Sequence, residues 1–166
     1  MKGVRIRGAA REDRDAIARL VDAGVREARK VVGQVPPAVS LDDLDARGSL
    51  MLVAAADGRV IGSVAYRIRS ATLHMFNLIV TPKYRRNGVA RQLVGELERI
   101  AVEAGARQVT VQTVIELGVE PFFKALGYRA KSAKREFLFA PTRDRALTTV
   151  YMVKRLGMFP GNPTKR

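Results

Sequence analysis

The stretch that decides the fold is residues 78–91, with the sequence LIVTPKYRRNGVAR. It joins an apolar run at residues 71–80 to an amphipathic segment at residues 88–104, in which apolar residues recur at helical spacing. Thr81-Pro82 ends the apolar run, and Gly105 follows the amphipathic segment as its C-cap. We therefore predict a buried strand, a short loop and a long helix, in that order.

The loop in this stretch is suited to an anion. The first turn of a helix has amide hydrogens without internal partners and lies at the positive end of the helix dipole, so it can accept a phosphate or pyrophosphate. Gly88 lets such a ligand approach the backbone, and the small Ala90 keeps the same face clear. Arg85, Arg86 and Arg91 add charged donors. Because the loop lacks both the Lys-Ser/Thr of a nucleotide P-loop and the G-x-G-x-x-G pattern, nucleoside triphosphates and NAD are disfavoured.

The rest of the chain predicts one α+β domain over residues 1–156 and a loose tail at 157–166. The predicted elements, in chain order, are a strand at 1–7, either one helix over 11–31 or two with a break near Gly24, a loop at 33–37, strands at 50–56, 60–68 and 71–80, a helix at 88–104, a strand at 108–114, a short helix at 119–126, and strands at 137–140 and 147–154. The crossover helix makes the strands at 71–80 and 108–114 parallel and adjacent.

Composition narrows the chemistry. Hydrophobic residues are 47% and charged residues 28% of the 166, which is typical of a globular chain and not of a disordered one. The absence of Cys excludes disulfides and a cysteine nucleophile, and a single His excludes multi-histidine metal clusters, so we expect no metal site. No apolar run approaches the roughly 18 residues of a membrane span, and the N-terminus lacks the apolar region of a secretory signal, so we expect a cytoplasmic protein without a membrane partner.

The net charge of +14 is the unusual compositional feature. Residues 129–166 carry ten basic and only two acidic side chains, so the excess lies in the C-terminal quarter. A contact with nucleic acid or tRNA through this region is one interpretation. A solvated face in a chain of Arg-rich composition is the other, and both stay open.

Three motifs resemble the GNAT superfamily of acetyl-CoA-dependent N-acetyltransferases. Residues 78–80 followed by residues 85–90 match its strand ending and its [QR]-x-x-G-x-[GA] loop. Residues 122–128, FFKALGY, resemble its F-Y-x-x-L-G-F segment, and residues 150–156, VYMVKRL, are similar to the last strand of many members. The resemblance covers nearly the whole chain.

The resemblance implies a mixed, mostly antiparallel sheet flanked by helices, with a splayed central pair of parallel strands. The pantetheine arm of acetyl-CoA would enter the gap and bind backbone groups of Leu78 and Val80, while an amide nearby polarises the thioester carbonyl. The residues expected to bind the cofactor are Leu78, Ile79, Val80, Arg85, Arg86, Asn87, Gly88, Val89, Ala90, Arg91 and Phe123.

Acyl transfer to an amine needs a base, and His74 is the first candidate. Its ordinary pKa of about 6.5 suits the task. It lies four residues before Leu78, which strand alternation places on the same face, and its position resembles that of the catalytic carboxylate in some members. The alternative is a half-buried His that serves only the structure. Glu116, just past the next strand, is the second candidate.

The general acid is harder to assign, because Phe123 stands where many members have a tyrosine. Phenylalanine cannot donate a proton. Tyr151 is a substitute, and solvent protonation of the leaving thiolate is the other route.

We consider two main functions. The first is an N-acetyltransferase in which a primary amine attacks acetyl-CoA directly in a ternary complex, since no Cys can carry the acyl group. The second is a catalytically weak CoA-binding module whose basic surface binds nucleic acid or an acidic protein; a nucleic-acid-binding domain without cofactor ranks third. A basic rim favours an amine carried by an acidic macromolecule, such as an aminoacyl-tRNA or an acidic protein. A homodimer is left open.

Overall fold

The structure is a computed structural model that describes residues 3–33, 40–136 and 146–157. The seven strands within these ranges form one sheet in the order β1-β2-β3-β4-β5-β7-β6. The strands are β1 (Arg5–Gly8), β2 (Leu50–Ala56), β3 (Arg59–Arg69), β4 (Thr72–Val80), β5 (Gln108–Val114), β6 (Arg129–Glu136) and β7 (Leu147–Arg155). The α-helices are α1 (Arg14–Val32), α2 (Leu41–Ala46), α3 (Val89–Glu103) and α4 (Glu120–Ala125). Only β4 and β5 pair in parallel, which confirms the predicted mixed, mostly antiparallel sheet.

Two tight hairpins fix the register of β2, β3 and β4. Asp57 and Gly58 turn β2 into β3 with φ of 49° and 74°. Ser70 and Ala71 turn β3 into β4 with φ of 49° and 56°. Positive φ at both central residues is the geometry whose twist matches the flanking strands. The second turn lacks the Asn-Gly or Asp-Gly signature of the first, so the sequence did not predict its register.

The larger core lies between α3 and one face of the sheet. Leu93 and Leu97 of α3 are fully buried, as are Leu73 of β4 and Val109 of β5. The α3 residues recur at the spacing that places one apolar face on the sheet. The helix predicted at 88–104 is therefore confirmed.

Leu97→Ala should lower the free energy of unfolding by about 2–5 kcal/mol, since it leaves a cavity in this core. Gly95→Ala is the matched change on the exposed side of the same helix, where an added Cβ meets nothing within 4 Å. It should stabilise by about 0.5–1 kcal/mol, because glycine weakens a helix interior. Urea unfolding of both variants measures the difference. Equal stabilities would contradict the assigned faces of α3.

A smaller cluster lies on the opposite face, where Ile17 and Val21 of α1 pack with Val53 of β2 and Ile79 of β4. Of the two alternatives for this region, the single helix is confirmed and the break near Gly24 is wrong, because α1 is continuous from Arg14 to Val32. A Cβ on Gly24 would lie 3.1 Å from Ile79 Cδ1. The glycine therefore serves close packing of α1 against β4 and not a helix break.

Other predicted boundaries differ. The second helix before the sheet is α2, which follows the N-cap Ser40; the Ser40 hydroxyl accepts a hydrogen bond from the Asp43 amide at 3.0 Å. The strand next to β7 is β6, which was not predicted because its exposed residues lack apolar alternation.

The strand predicted at 137–140, most of the loop at 33–37 and most of the tail at 157–166 lie outside the described residues. Among those described, no helix is long and apolar enough to span a membrane; the cytoplasmic location stays a prediction.

Candidate active site

A gap opens between β4 and β5 at the centre of the sheet. The two strands pair only from Thr72 with Gln108 to Met75 with Val111. Beyond this point β4 continues to Val80 and β5 continues to its last residue without pairing to each other. This confirms the splayed parallel pair, and it leaves backbone groups of both strands available to a ligand that enters the gap.

A β-bulge lies in β4 at the start of the gap. β3 pairs Ala65 with Phe76 and Ser63 with Ile79. The chain therefore advances two residues on β3 and three residues on β4 between these pairs, so β4 contains one extra residue. Asn77, inside this interval, has a φ of 47°. The extra residue turns the following backbone relative to β3, as bulges beside functional sites commonly do.

The bulge reverses the face of Leu78 relative to His74. His74 alternates with Leu73 and Met75, which face α3, so its side chain is on the α1 face of the sheet. Leu78 packs against the α3-side cluster, and Ile79 packs against the α1-side cluster. The prediction that His74 and Leu78 share a face is therefore wrong, because the bulge adds one residue to the alternation.

The loop before α3 has the geometry of an anion site. Arg86 and Gly88 have φ of 62° and 79°, and Gly88 is the N-cap of α3. Asn87 Nδ2 donates to the Arg85 carbonyl at 3.0 Å, which holds the turn. A Cβ on Gly88 would meet nothing within 4 Å, so the space over the first turn is open. Open space, left-handed backbone and free first-turn amides fit a pyrophosphate.

Arg85 points away from that space and joins the loop to α1. Its Nε donates to the Val80 carbonyl at 2.8 Å, and its two terminal nitrogens each bond a Glu27 carboxylate oxygen at 2.6 Å. The hydrogen bond from Arg85 lowers the pKa of Glu27, so the pair stays ionised. Three donors of Arg85 are thus occupied by the protein, whereas Arg86 and Arg91 are exposed beside the loop. Glu27 was missed because one acidic residue on a charged helix carries no sequence signal.

His74 is half-buried on β4, where β4 and β5 still pair. Its Nδ1 lies 2.9 Å from the hydroxyl of the buried Thr110. When Nδ1–H donates to this hydroxyl, Nε2 keeps a free lone pair. Burial lowers the pKa of His74, and the positive charges of Arg67 and Arg69 lower it further. The imidazole is therefore neutral near pH 7, the form that accepts a proton.

The Glu116 carboxylate, which follows β5, is hydrogen-bonded to the start of β7. Both carboxylate oxygens accept from the Thr148 amide at 3.0 Å. Burial raises the pKa of Glu116, but hydrogen bonds from the backbone and from the Thr148 side chain, together with the charge of Arg135, outweigh burial, and the net shift is downward. A carboxylate with a lowered pKa is a weaker base, and both of its oxygens already have a partner.

The two other catalytic candidates lie in different surroundings. Tyr151 pairs with Gln112 of β5 and alternates with buried Val150 and Met152, so it shares the His74 face of the sheet. Phe123 of α4 is 4% exposed, with its ring in edge contact with Tyr128 at 5.6 Å between centroids. Its contact with a cofactor stays a prediction.

Arg67 of β3 was missed by the sequence analysis. It is directly opposite His74 in the β3–β4 register, and its guanidinium carbon lies 5.5 Å from the centroid of the Phe76 ring. A two-residue turn at Ser70-Ala71 places Arg67 opposite His74, because each residue is the third from the turn. That turn has no signature residues, so the register could not be read from the sequence.

Comparison with known proteins finds similarity to acetyltransferases in both sequence and structure. The model of the acetyltransferase (GNAT) family matches residues 18–128. Human N-acetyltransferase 8 is 29% identical over 120 residues, which are 68% of this chain and 52% of that protein. The chain therefore spans about half the length of this curated relative.

Solved structures share the fold at low sequence identity. Salmonella typhimurium yncA, whose structure holds its cofactor acetyl-CoA, has a TM-score of 0.74 and 18% identity over 99% of this chain and 100% of that chain. The ribosomal-protein-S18-alanine N-acetyltransferase of Escherichia coli has a TM-score of 0.69 and 15% identity over 99% of each chain. A Staphylococcus aureus N-acetyltransferase has a TM-score of 0.73 and 17% identity over 93% of this chain and 99% of that chain.

Proposed function

Because this chain belongs to the GNAT acetyltransferase family, whose members use acetyl-CoA, we propose that it transfers an acetyl group from acetyl-CoA to a primary amine. The observation that carries the proposal is the gap between β4 and β5, with the open Gly88 loop at the start of α3 following β4. We propose that residues 1–156 form the acetyltransferase domain and that it works in the cytoplasm.

The cofactor would be held at two places. The amides of Gly88, Val89 and Ala90 would bind its pyrophosphate at the N-terminus of α3, with Asn87 shaping the turn and Arg86 and Arg91 adding charge. The backbone of residues 78–80 would bind its pantetheine arm along the open edge of β4. Arg85 would position the loop through Glu27 and Val80, because these groups already occupy its side chain.

Proton transfer would begin at His74. When bound, acetyl-CoA supplies an acetyl thioester that a neutral amine can attack. Nε2 of His74, neutral near pH 7, takes the proton that the amine must lose, while Thr110 holds Nδ1. No Cys is available to carry the acetyl group, so attack is direct. Glu116 would replace His74 only after losing its bonds to Thr148.

The leaving thiolate needs a proton that Phe123 cannot give. Tyr151 is on the same sheet face as His74, one strand beyond β5, and is the phenol we assign to this step. Solvent is the alternative source.

A CoA-binding module without strong catalysis is the second candidate function. Phe123 favours it, since the usual tyrosine is absent, and so does the edge strand β6. Residues 129–135 of this strand are exposed, and four of the seven are Arg or Lys. We propose β6 as the surface that would contact tRNA, another nucleic acid or an acidic protein.

Thiol release from acetyl-CoA, measured with and without a panel of amines, tests the function. We expect release that depends on the amine and a product heavier by one acetyl group in mass spectrometry. The panel contains amino acids, their amides, peptides with free N-termini, and polyamines. CoA binding with no amine-dependent release would reject the transferase and favour the binding module.

A further inference from the structure

We propose that Arg67 binds a carboxylate of the acceptor, so that the acceptor is a small amine with a carboxylate close to its amino group, as in an amino acid. That the bound molecule is an acetyl acceptor rests on the proposed function. The carboxylate site itself can be tested without any transfer.

The first observation is that Arg67 lacks an acidic partner within the described residues. Arg7, Arg14, Arg85 and Arg99 each form a salt bridge with Asp or Glu. Among the described residues Arg67 forms none, and its guanidinium instead lies over the Phe76 ring. A guanidinium has five N–H donors in a planar fork that matches a carboxylate.

The second observation is that part of Arg67 is already removed from water. Its side chain is half-buried, and its Nε is a buried polar atom without a hydrogen-bond partner among the described residues. A buried donor without a partner destabilises the folded protein. A carboxylate bound by the other N–H groups of the guanidinium would be attracted strongly, because screening by water is reduced at the same place.

The third observation is position. Arg67 is opposite His74 in the β3–β4 ladder, and such paired residues have Cβ atoms about 4.5–5.5 Å apart. Its guanidinium lies over Phe76, just before the bulge and the gap. Consider an acceptor whose amino group is close enough for His74 to deprotonate it. A carboxylate of the same molecule, one or two carbon atoms from that amino group, would therefore lie within reach of Arg67. This spacing selects amino acids over simple amines and over amines with distant charges.

The two residues are also coupled electrostatically. Besides burial, the charges of Arg67 and Arg69 lower the pKa of His74. A carboxylate on Arg67 would offset that charge and raise the His74 pKa, which makes the base stronger when the acceptor is bound. Thr110 on β5 is the neutral partner of the ring and does not change charge.

A kinetic test uses matched acceptors and matched variants. For the best amino acid acceptor and its amide, the ratio of kcat/KM values is measured in wild type, Arg67→Met and Arg69→Met. Arg67→Met should reduce the preference for the carboxylate by about 10- to 100-fold, as expected for a charged hydrogen bond. Arg69→Met removes a second positive charge from β3 and should leave the ratio nearly unchanged. An unchanged ratio in Arg67→Met would overturn the proposal.

A binding test does not need catalysis, because His74 is the only histidine of the chain. Its pKa is measured by NMR with saturating N-acetylglycine or with N-acetylglycinamide. N-acetylglycine should raise the pKa in wild type and Arg69→Met but not in Arg67→Met, and the amide should have no such effect. No rise in wild type, or the same rise in Arg67→Met, would overturn the proposal. A rise of the expected pattern without acetyl transfer would instead reject the proposed function and keep the carboxylate site.

Discussion

Replacing Gly88 with valine should abolish the rise in melting temperature that CoA produces in the wild-type protein. CoA at about 100 times its dissociation constant should stabilise wild type by about 2.7 kcal/mol, or about 5–10 °C for a chain of this size. The valine side chain would occupy the open space over the first turn of α3, where the pyrophosphate is expected. Thermal melts with and without millimolar CoA measure the effect.

Gly105→Val is the control for this change. Gly105 follows the other end of α3, has a φ of 72° against 79° for Gly88, and also has open space at its Cβ position. Both variants should lose about 1–2 kcal/mol, because a side chain disfavours left-handed backbone. Only the Gly88 variant should lose the response to CoA. If it responds as wild type does, the loop does not hold the cofactor.

The cofactor side of the site could be predicted from the sequence because its signals are local. A strand ending, a Gly-containing turn and an amphipathic helix follow one another within 27 residues, from Leu78 to Ala104. The backbone of such a unit depends little on distant contacts. The structure accordingly contains the predicted order of β4, loop and α3.

The acceptor side could not be predicted in the same way, because it depends on register between strands. Arg67 meets His74 through a turn at Ser70-Ala71 whose residues do not indicate its type. Leu78 changes face through a bulge at Asn77 that simple alternation does not show. One extra residue reverses every later side chain in a strand, so errors of this kind change the site more than they change the fold.

The edge strand was missed for a related reason. β6 lies at the end of the sheet, and its residues from Arg129 to Arg135 are exposed on both faces. Charged residues are typical of edge strands, where they prevent pairing with other chains. Its sequence therefore has neither apolar alternation nor β-branched enrichment. The sequence pattern instead predicts a strand at the more apolar residues 137–140.

His74→Ala should lower kcat/KM by about 10²–10⁴ while the CoA-induced rise in melting temperature stays intact. His74 would act as base through Nε2, and its side chain lies on β4 away from the Gly88 loop. Burial and the two arginines lower the His74 pKa below the ordinary 6.5, so the neutral imidazole is the major form at neutral pH. As far as this group is concerned, wild-type kcat/KM should therefore fall as the pH is lowered from neutral and the imidazole gains a proton.

Thr110→Val is the matched control for His74, since it keeps the imidazole and removes only the hydroxyl at Nδ1. It should retain the acidic limb of the pH profile and lose less activity than His74→Ala, because the base remains but is less well oriented. His74→Ala should lose that limb along with its rate. If His74→Ala instead turns over at the wild-type rate across pH, the proton goes to Glu116 or to solvent, and His74 is then a structural partner of Thr110 between β4 and β5.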